Sequence, residues 1–204
     1  MITTKRALNI DRLSDKLSQL WRGPGESGEG FYSLYFNVGN GIGIKLLRDR
    51  YNTKYEMQHS IHWARAKEET RLLHHAFKSG LTPKSYGTMA LQVYGDWHAA
   101  IVMQHLKGEN FALWEHPSYG ALEKESMCEA LRITLLRRTG IDHGDLEDRN
   151  VIVWDKPKDL RFWILDFSPK HVYTWGNVKE AKKMADRWEK EYLDKQRKKD
   201  YNRG

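Results

Sequence analysis

The stretch Ile141-Asp-His-Gly-Asp-Leu-Glu-Asp-Arg-Asn-Val-Ile-Val153, followed by Trp163-Ile-Leu-Asp-Phe-Ser168, decides how the rest of the chain is read. Asp145 and Asn150 fall in what reads as a loop between a helix and a strand, and Asp166 ends the next strand. A hairpin over 151–165 then gathers one carboxamide and two carboxylates, all hard oxygen donors and none of them sulfur. Such donors suit Mg²⁺, which keeps several waters and completes its shell with substrate phosphates. Phosphoryl transfer asks for this set: metal on the phosphates, a carboxylate to orient the attacking hydroxyl, and a lysine on the far side.

Working outward, Ala121 to Arg138 carries Leu122, Met127, Ala130, Leu131, Thr134 and Leu135 at helical spacing, with Gly140 as its stop. Val151–Trp154 and Phe162–Leu165 read as strands about the turn 155–159, and Val178 to about Tyr192 reads as a helix. Towards the N-terminus, Leu8, Ile10, Leu13, Leu17 and Leu20 fit an amphipathic helix leading into a strand. The glycine-rich run 21–30 predicts irregular chain. Phe31–Phe36 and Ile42–Leu47 predict a hairpin about Asn37–Gly41. A helix is expected over 60–78 with Gly80 as its stop, then strands near 91–94 and 99–103. The result is an α+β chain, sheet-rich first and helical later.

The 141–168 segment resembles the catalytic and metal loops of the protein kinase-like superfamily, His-x-Asp-x-x-x-x-Asn and then Asp-Phe-Gly. His143, Asp145, Asn150 and Asp166-Phe167 match it. The resemblance covers roughly residues 20 to 170 and implies a bilobal kinase-like fold. Residues 1–103 would form the N-lobe, and 104–204 the hinge and a truncated helical C-lobe with a basic C-terminal helix. It implies Asp145 as catalytic base and Asn150 and Asp166 as Mg²⁺ ligands. Gly23, Gly25 and Gly28 would bring backbone amides to phosphates in a glycine loop between two strands. Lys45 would hold the α- and β-phosphates, with Glu69 as ion-pair partner ahead of Glu68. Ile101–Leu106 resembles the hinge, where adenine would meet backbone groups near Gln104 and Leu106 with Met103 behind it. Among relatives, the shape is similar to small fungal kinase-like proteins, the small kinase of the KEOPS tRNA-modification complex, RIO-type kinases and bacterial lipopolysaccharide-core sugar kinases. The fungal group is nearest in the wording of the loop.

The sequence departs from the pattern in places. Gly144 stands where arginine is usual, Glu147 where Ser/Thr kinases put a lysine, and Ser168 where the third residue is glycine. No Ala-Pro-Glu segment follows Asp166. The reading is an ATP- and Mg²⁺-dependent kinase acting on a hydroxyl, with a protein serine or threonine as the first acceptor expected. The alternatives are a pseudokinase or binding module, an ATPase subunit of an RNA-modifying assembly, and a sugar or small-molecule kinase.

Composition sets the outer bounds. The 204 residues carry 34 Lys+Arg against 27 Asp+Glu, a net charge of +7, with 40% hydrophobic residues, enough for a packed core. The only cysteine, Cys128, excludes an internal disulfide framework and a cysteine zinc cluster, and suits a reducing compartment. No apolar run is long enough to span a bilayer and no secretory signal opens the sequence, so a cytoplasmic protein is expected. Much of the positive charge lies beyond Val178. It reads as the solvated face of a helix, with Lys195–Arg203 as a conceivable contact for RNA or an acidic partner.

Overall fold

The structure is a computed structural model that describes residues 10–21, 27–29, 33–156 and 159–201. The chain divides into two compact units, Met1–Thr70 with Lys84–Leu106, and Arg71–Pro83 with Lys107–Gly204. The passage between them falls at 106/107 where the sequence suggested 103/104. The run 71–83, including the last turns of the helix expected over 60–78, counts with the second unit.

The first unit is built on an antiparallel five-stranded sheet in the order β1-β2-β3-β5-β4. Its strands are β1 (Ser27–Glu29), β2 (Ser33–Gly39), β3 (Ile42–Leu47), β4 (Ser85–Val93) and β5 (Asp96–Gln104). Strand β1 corrects the expectation of irregular chain over 21–30: three residues of that run pair with β2, Gly28 opposite Tyr35. The hairpin β2–β3 turns at Asn40-Gly41, both with positive φ (54° and 72°), the left-handed pair that matches the twist of two strands. Strands β4 and β5 are longer than the predicted pieces and meet at a second turn of this kind, Tyr94-Gly95.

Alternation decides which side of the sheet is covered. Leu34, Phe36 and Val38 of β2 and Ile44 and Leu46 of β3 join Leu91, Val93 and Ala100 in one core cluster. Leu13 and Leu17 of α1 (Ile10–Trp21) seal it. Lys16 and Tyr94 tie α1 down, donating to the carbonyls of Val38 and Ser18. The alternate positions, Tyr35, Gly43 and Lys45, therefore fall on the opposite face. A short helix α2 (Lys54–Gln58), missed in the sequence, starts with a capping box between Thr53 and Glu56. Helix α3 (Ile61–Ala76) lies on the lysine face within this unit: Thr88 of β4 donates to the Ala66 carbonyl and is bonded to the Thr70 hydroxyl at 2.7 Å.

The second unit rests on two helices and short strands. Helix α4 (Ala121–Thr139) ends at Gly140 in the left-handed conformation, and α5 (Val178–Tyr201) packs on it. Ile133 and Leu136 bury against Ala181 and Ala185, with Trp175, Met184 and Trp188 around them. Arg137 spans to Asp186 and Glu189 at 3.0 and 2.6 Å. Strand β6 (Glu109–Asn110) pairs with β8 (Val151–Lys156), and β8 with β9 (Asp159–Ile164), the hairpin foreseen after Asn150. Besides β6, two more strands were not foreseen: β7 (Ile141–His143) pairs with β10 (Val172–Thr174), folding the chain after Asp166 back along the His143 strand. Among the described residues no helix is long and apolar enough to cross a membrane.

Candidate functional site

In the first half of the chain the candidate is Lys45 on β3. Its amine donates to Glu69 Oε1 at 2.7 Å, so Glu69 is the partner, as first expected. Glu69 is only 5% exposed, and a charge that deep is stable only when paired. The pairing follows from register: Lys45 stands opposite Tyr35 on one side and Ile101 on the other, on the face carrying α3. Met103 lies opposite Gly43 on the same face. Gln104 ends β5, and its backbone N–H donates to the Lys84 carbonyl at 2.7 Å. The next N–H, of His105, goes to the Gly41 carbonyl at 2.8 Å; Leu106 follows, half-buried. Of the glycine loop, Gly23 and Gly25 lie outside the described residues, and Gly28 sits in β1 rather than in a loop.

The second half of the chain supplies the candidates within residues 141–172. His143, fully buried at the end of β7, places its Nε2 at 3.0 Å from both the Leu165 and the Asp166 carbonyls. Carbonyl oxygens only accept, so Nε2 carries the proton and the ring is the neutral tautomer. Burial pushes the His143 pKa below its ordinary value, which keeps it neutral. Its Nδ1 is buried with no hydrogen-bond partner among the described residues. Phe167 packs edge-on against the imidazole at 5.1 Å. Asp166, held between these anchors, has φ 56°, a left-handed backbone that aspartate tolerates better than most residues, and its side chain is exposed.

Asp145 and Asn150 are joined through the backbone. The Asn150 side-chain nitrogen donates to the Asp145 carbonyl at 2.8 Å, and the Leu165 N–H donates to the Asn150 carbonyl at 2.8 Å. The amide nitrogen being taken, the oxygen is the Asn150 side-chain atom able to meet a cation. Asp145 itself stays half-exposed, with Arg149 at 3.6 Å, an exposed pair of little energetic weight. The loop thus brings His143, Asp145, Asn150, Asp166 and Phe167 together.

Two features of this half went unnoticed in the sequence. A β-carbon on Gly144 would stand 2.9 Å from the His171 carbonyl, which already accepts the Gly144 N–H at 2.7 Å. The glycine found in place of the usual arginine is therefore required by the β7–β10 pairing. Asp142, opposite Tyr173, is 8% exposed and grips Arg132 of α4 with two bonds, 2.7 and 3.2 Å. This bond to Asp142 raises the Arg132 pKa further, and the guanidinium also lies over Trp188. Both features depend on residues far apart in sequence, and nothing near Gly144 or Asp142 announces them.

Among the described residues no three His, Cys, Asp or Glu side chains gather as a metal site. Asn150 and Asp166 offer one carboxamide and one carboxylate oxygen instead. That donor set fits Mg²⁺, which uses one or two carboxylates and fills its remaining positions with water and phosphate.

An ion-paired strand lysine in one unit, and in the other a His-x-Asp loop strapped to a following Asp-Phe, are the parts expected of a kinase-like chain. The family pattern of the lipopolysaccharide kinases (Kdo/WaaP) matches residues 28–200, and the chain belongs to that family. It is thereby a member of the protein kinase-like superfamily, as the loop resemblance implied. No curated protein is similar enough to match. Similar solved structures include the Rio2 kinase of Chaetomium thermophilum in its ADP/Mg²⁺-phosphoaspartate complex. It is 16% identical over 88% of this chain and 59% of that one, with a TM-score of 0.45. The chain thus spans less than two thirds of that kinase's length.

Proposed function

We propose that the protein transfers the γ-phosphate of ATP to a hydroxyl of a carbohydrate acceptor, using Mg²⁺. The observation that carries the phosphotransferase part is the His143 strap, which fixes Asp166 by its carbonyl while Asn150 holds the carbonyl of Asp145. Each acidic residue is positioned through its backbone carbonyl, which sets the direction in which its side chain leaves the loop.

In this reading Asn150 and Asp166 hold Mg²⁺, which supplies charge neutralisation on the phosphates. Lys45, oriented by Glu69, meets the α- and β-phosphates. Asp145 accepts the proton of the acceptor hydroxyl and orients its oxygen for in-line attack. His143, neutral and buried, takes no part in proton transfer; it is a positioning residue. Met103 and the backbone about Gln104 and Leu106 receive the base, through the Gln104 carbonyl rather than the N–H already bonded to Lys84.

The carbohydrate acceptor rests on the family's name and on the chain after Asp166. A protein acceptor docks along an extended segment with free backbone groups. Here β10 pairs with β7, and the Trp175 N–H donates to the Gly140 carbonyl at 2.8 Å. That supports a compact acceptor over the protein serine or threonine first expected. The family gives no support to an RNA partner at Lys195–Arg203.

The test is transfer from γ-labelled ATP with Mg²⁺, offering lipopolysaccharide core oligosaccharide and a mixed protein substrate to wild type, Asp145→Ala and Asp166→Ala. Label on the oligosaccharide that both substitutions abolish is the expected result. Label on protein alone would overturn the acceptor, and undiminished transfer by the variants would overturn the assignment of the loop.

A further inference from the structure

The lysine-bearing face of the first unit holds one side chain that the phosphotransfer reading does not use. Tyr35 of β2 stands directly opposite Lys45, and its ring leans diagonally across β3 onto Gly43. A β-carbon built on Gly43 would lie 2.0 Å from the Tyr35 hydroxyl oxygen and 2.5 Å from Cζ, so the phenol rests on bare backbone. Its hydroxyl reaches His105 Nδ1 at 3.0 Å, and the two rings are near parallel with centroids 6.0 Å apart. The phenol therefore bridges from β3 to the chain just after β5. Burial pushes its pKa up to about 12, so it is a neutral hydrogen-bonding group throughout the working range.

The span it covers matters. Lys45, the residue read as meeting phosphates, lies on one side of Gly43. Met103 faces Gly43 across the ladder, and Gln104, His105 and Leu106 follow. A nucleotide with its phosphates at Lys45 and its base against Met103 to Leu106 must pass over Gly43. That place is occupied by the protein's own aromatic ring. We infer that Tyr35 gates the nucleotide base: its phenol, seated on Gly43 and latched to His105, holds the position the base takes, and the nucleotide enters when the phenol swings away.

The inference rests on the phosphotransferase reading of Lys45. It also accounts for the glycine: any side chain at 43 would expel the phenol, so the latch exists only with Gly43. The latch is a hydrogen bond, whose net worth corresponds to a factor of about five in an equilibrium. Apparent affinity is reduced by the fraction of molecules with the gate closed, so removing the gate tightens binding.

The experiment is calorimetric titration of ATP with Mg²⁺ into the full chain as wild type, Tyr35→Ala, His105→Ala and Lys45→Met, with melting curves as a check on folding. The gate predicts a Kd about fivefold lower or better for Tyr35→Ala and for His105→Ala, and a higher Kd for Lys45→Met. Should Tyr35→Ala fold poorly, His105→Ala carries the test, since it removes the latch and leaves the strand intact. Unchanged or weaker binding by a folded His105→Ala, with Lys45→Met impaired, overturns the gate while the lysine assignment stands. Equal binding by Lys45→Met and wild type, or no binding by any variant, overturns the reading of the site and the gate with it.

Discussion

The candidate residues of the two units are held by different forces. On β3, Lys45 is set by a side-chain ion pair with Glu69, charge against charge. In the 141–168 loop, Asp166 and Asp145 are fixed by bonds to their carbonyl oxygens from neutral groups, His143 and Asn150. The lysine gains direction from the carboxylate beside it, whereas neutral donors to the carbonyls set the direction of each acidic residue. A part-buried ion pair, Arg132–Asp142, sits one strand residue before His143.

The largest expected effect separates the halves by rate. Asp145→Ala should reduce phosphotransfer by about 10²–10⁴-fold, the span of a lost general base, with little change in melting temperature. Glu69→Gln, which leaves the lysine in place but takes away its charged partner, should cost only about 10–100-fold in kcat/KM. Equal losses would erase the distinction between a reacting group and its support.

Next comes the buried pair under the loop. Asp142→Ala strands Arg132 in a mostly buried place and should lower stability by about 2–3 kcal/mol in urea unfolding. A loss under 0.5 kcal/mol would mean that the pair is no anchor. Gly144→Ala presses a methyl on the His171 carbonyl and should cost about 1–3 kcal/mol, with transfer activity falling further than Tyr173→Ala lowers it. A neutral Gly144→Ala would show that β10 yields easily.

The smallest effect concerns protons. Each unit has one buried histidine with its pKa pushed below 6.5 by burial: His98, bonded to the Leu47 carbonyl, and His143. The unfolded chain binds protons at these sites first, so stability is full above pH 6.5 and falls as pH drops below it. Each histidine contributes up to about 1.4 kcal/mol per pH unit until the native ring itself titrates. His143→Gln and His98→Gln should each flatten the slope of unfolding free energy between pH 6.5 and 5. A slope unchanged in both would place the acid sensitivity elsewhere.

The gathering of the loop residues was legible because it is local. His143, Asp145 and Asn150 lie within one turn-and-strand segment, and Asp166 arrives by a hairpin whose two strands alternate plainly. The helix stops at Gly80 and Gly140 were equally local, since a left-handed residue after a helix calls for glycine. Strands β1, β6, β7 and β10 escaped notice because each has two or three residues, too few for a period, and each is made by its partner. Helix α2 escaped for the same reason of length.

By itself the sequence determined the α+β order, the hairpin about Asn40-Gly41, the partner of Lys45 and the acidic loop, all properties of spacing and side-chain chemistry. Tertiary structure alone decided which neutral groups hold the carboxylates by their carbonyls, why residue 144 is glycine, and that Tyr35 lies on Gly43 beside His105. Those contacts join residues distant along the chain, and steric fit between such residues is set only when packing brings them within an ångström of collision.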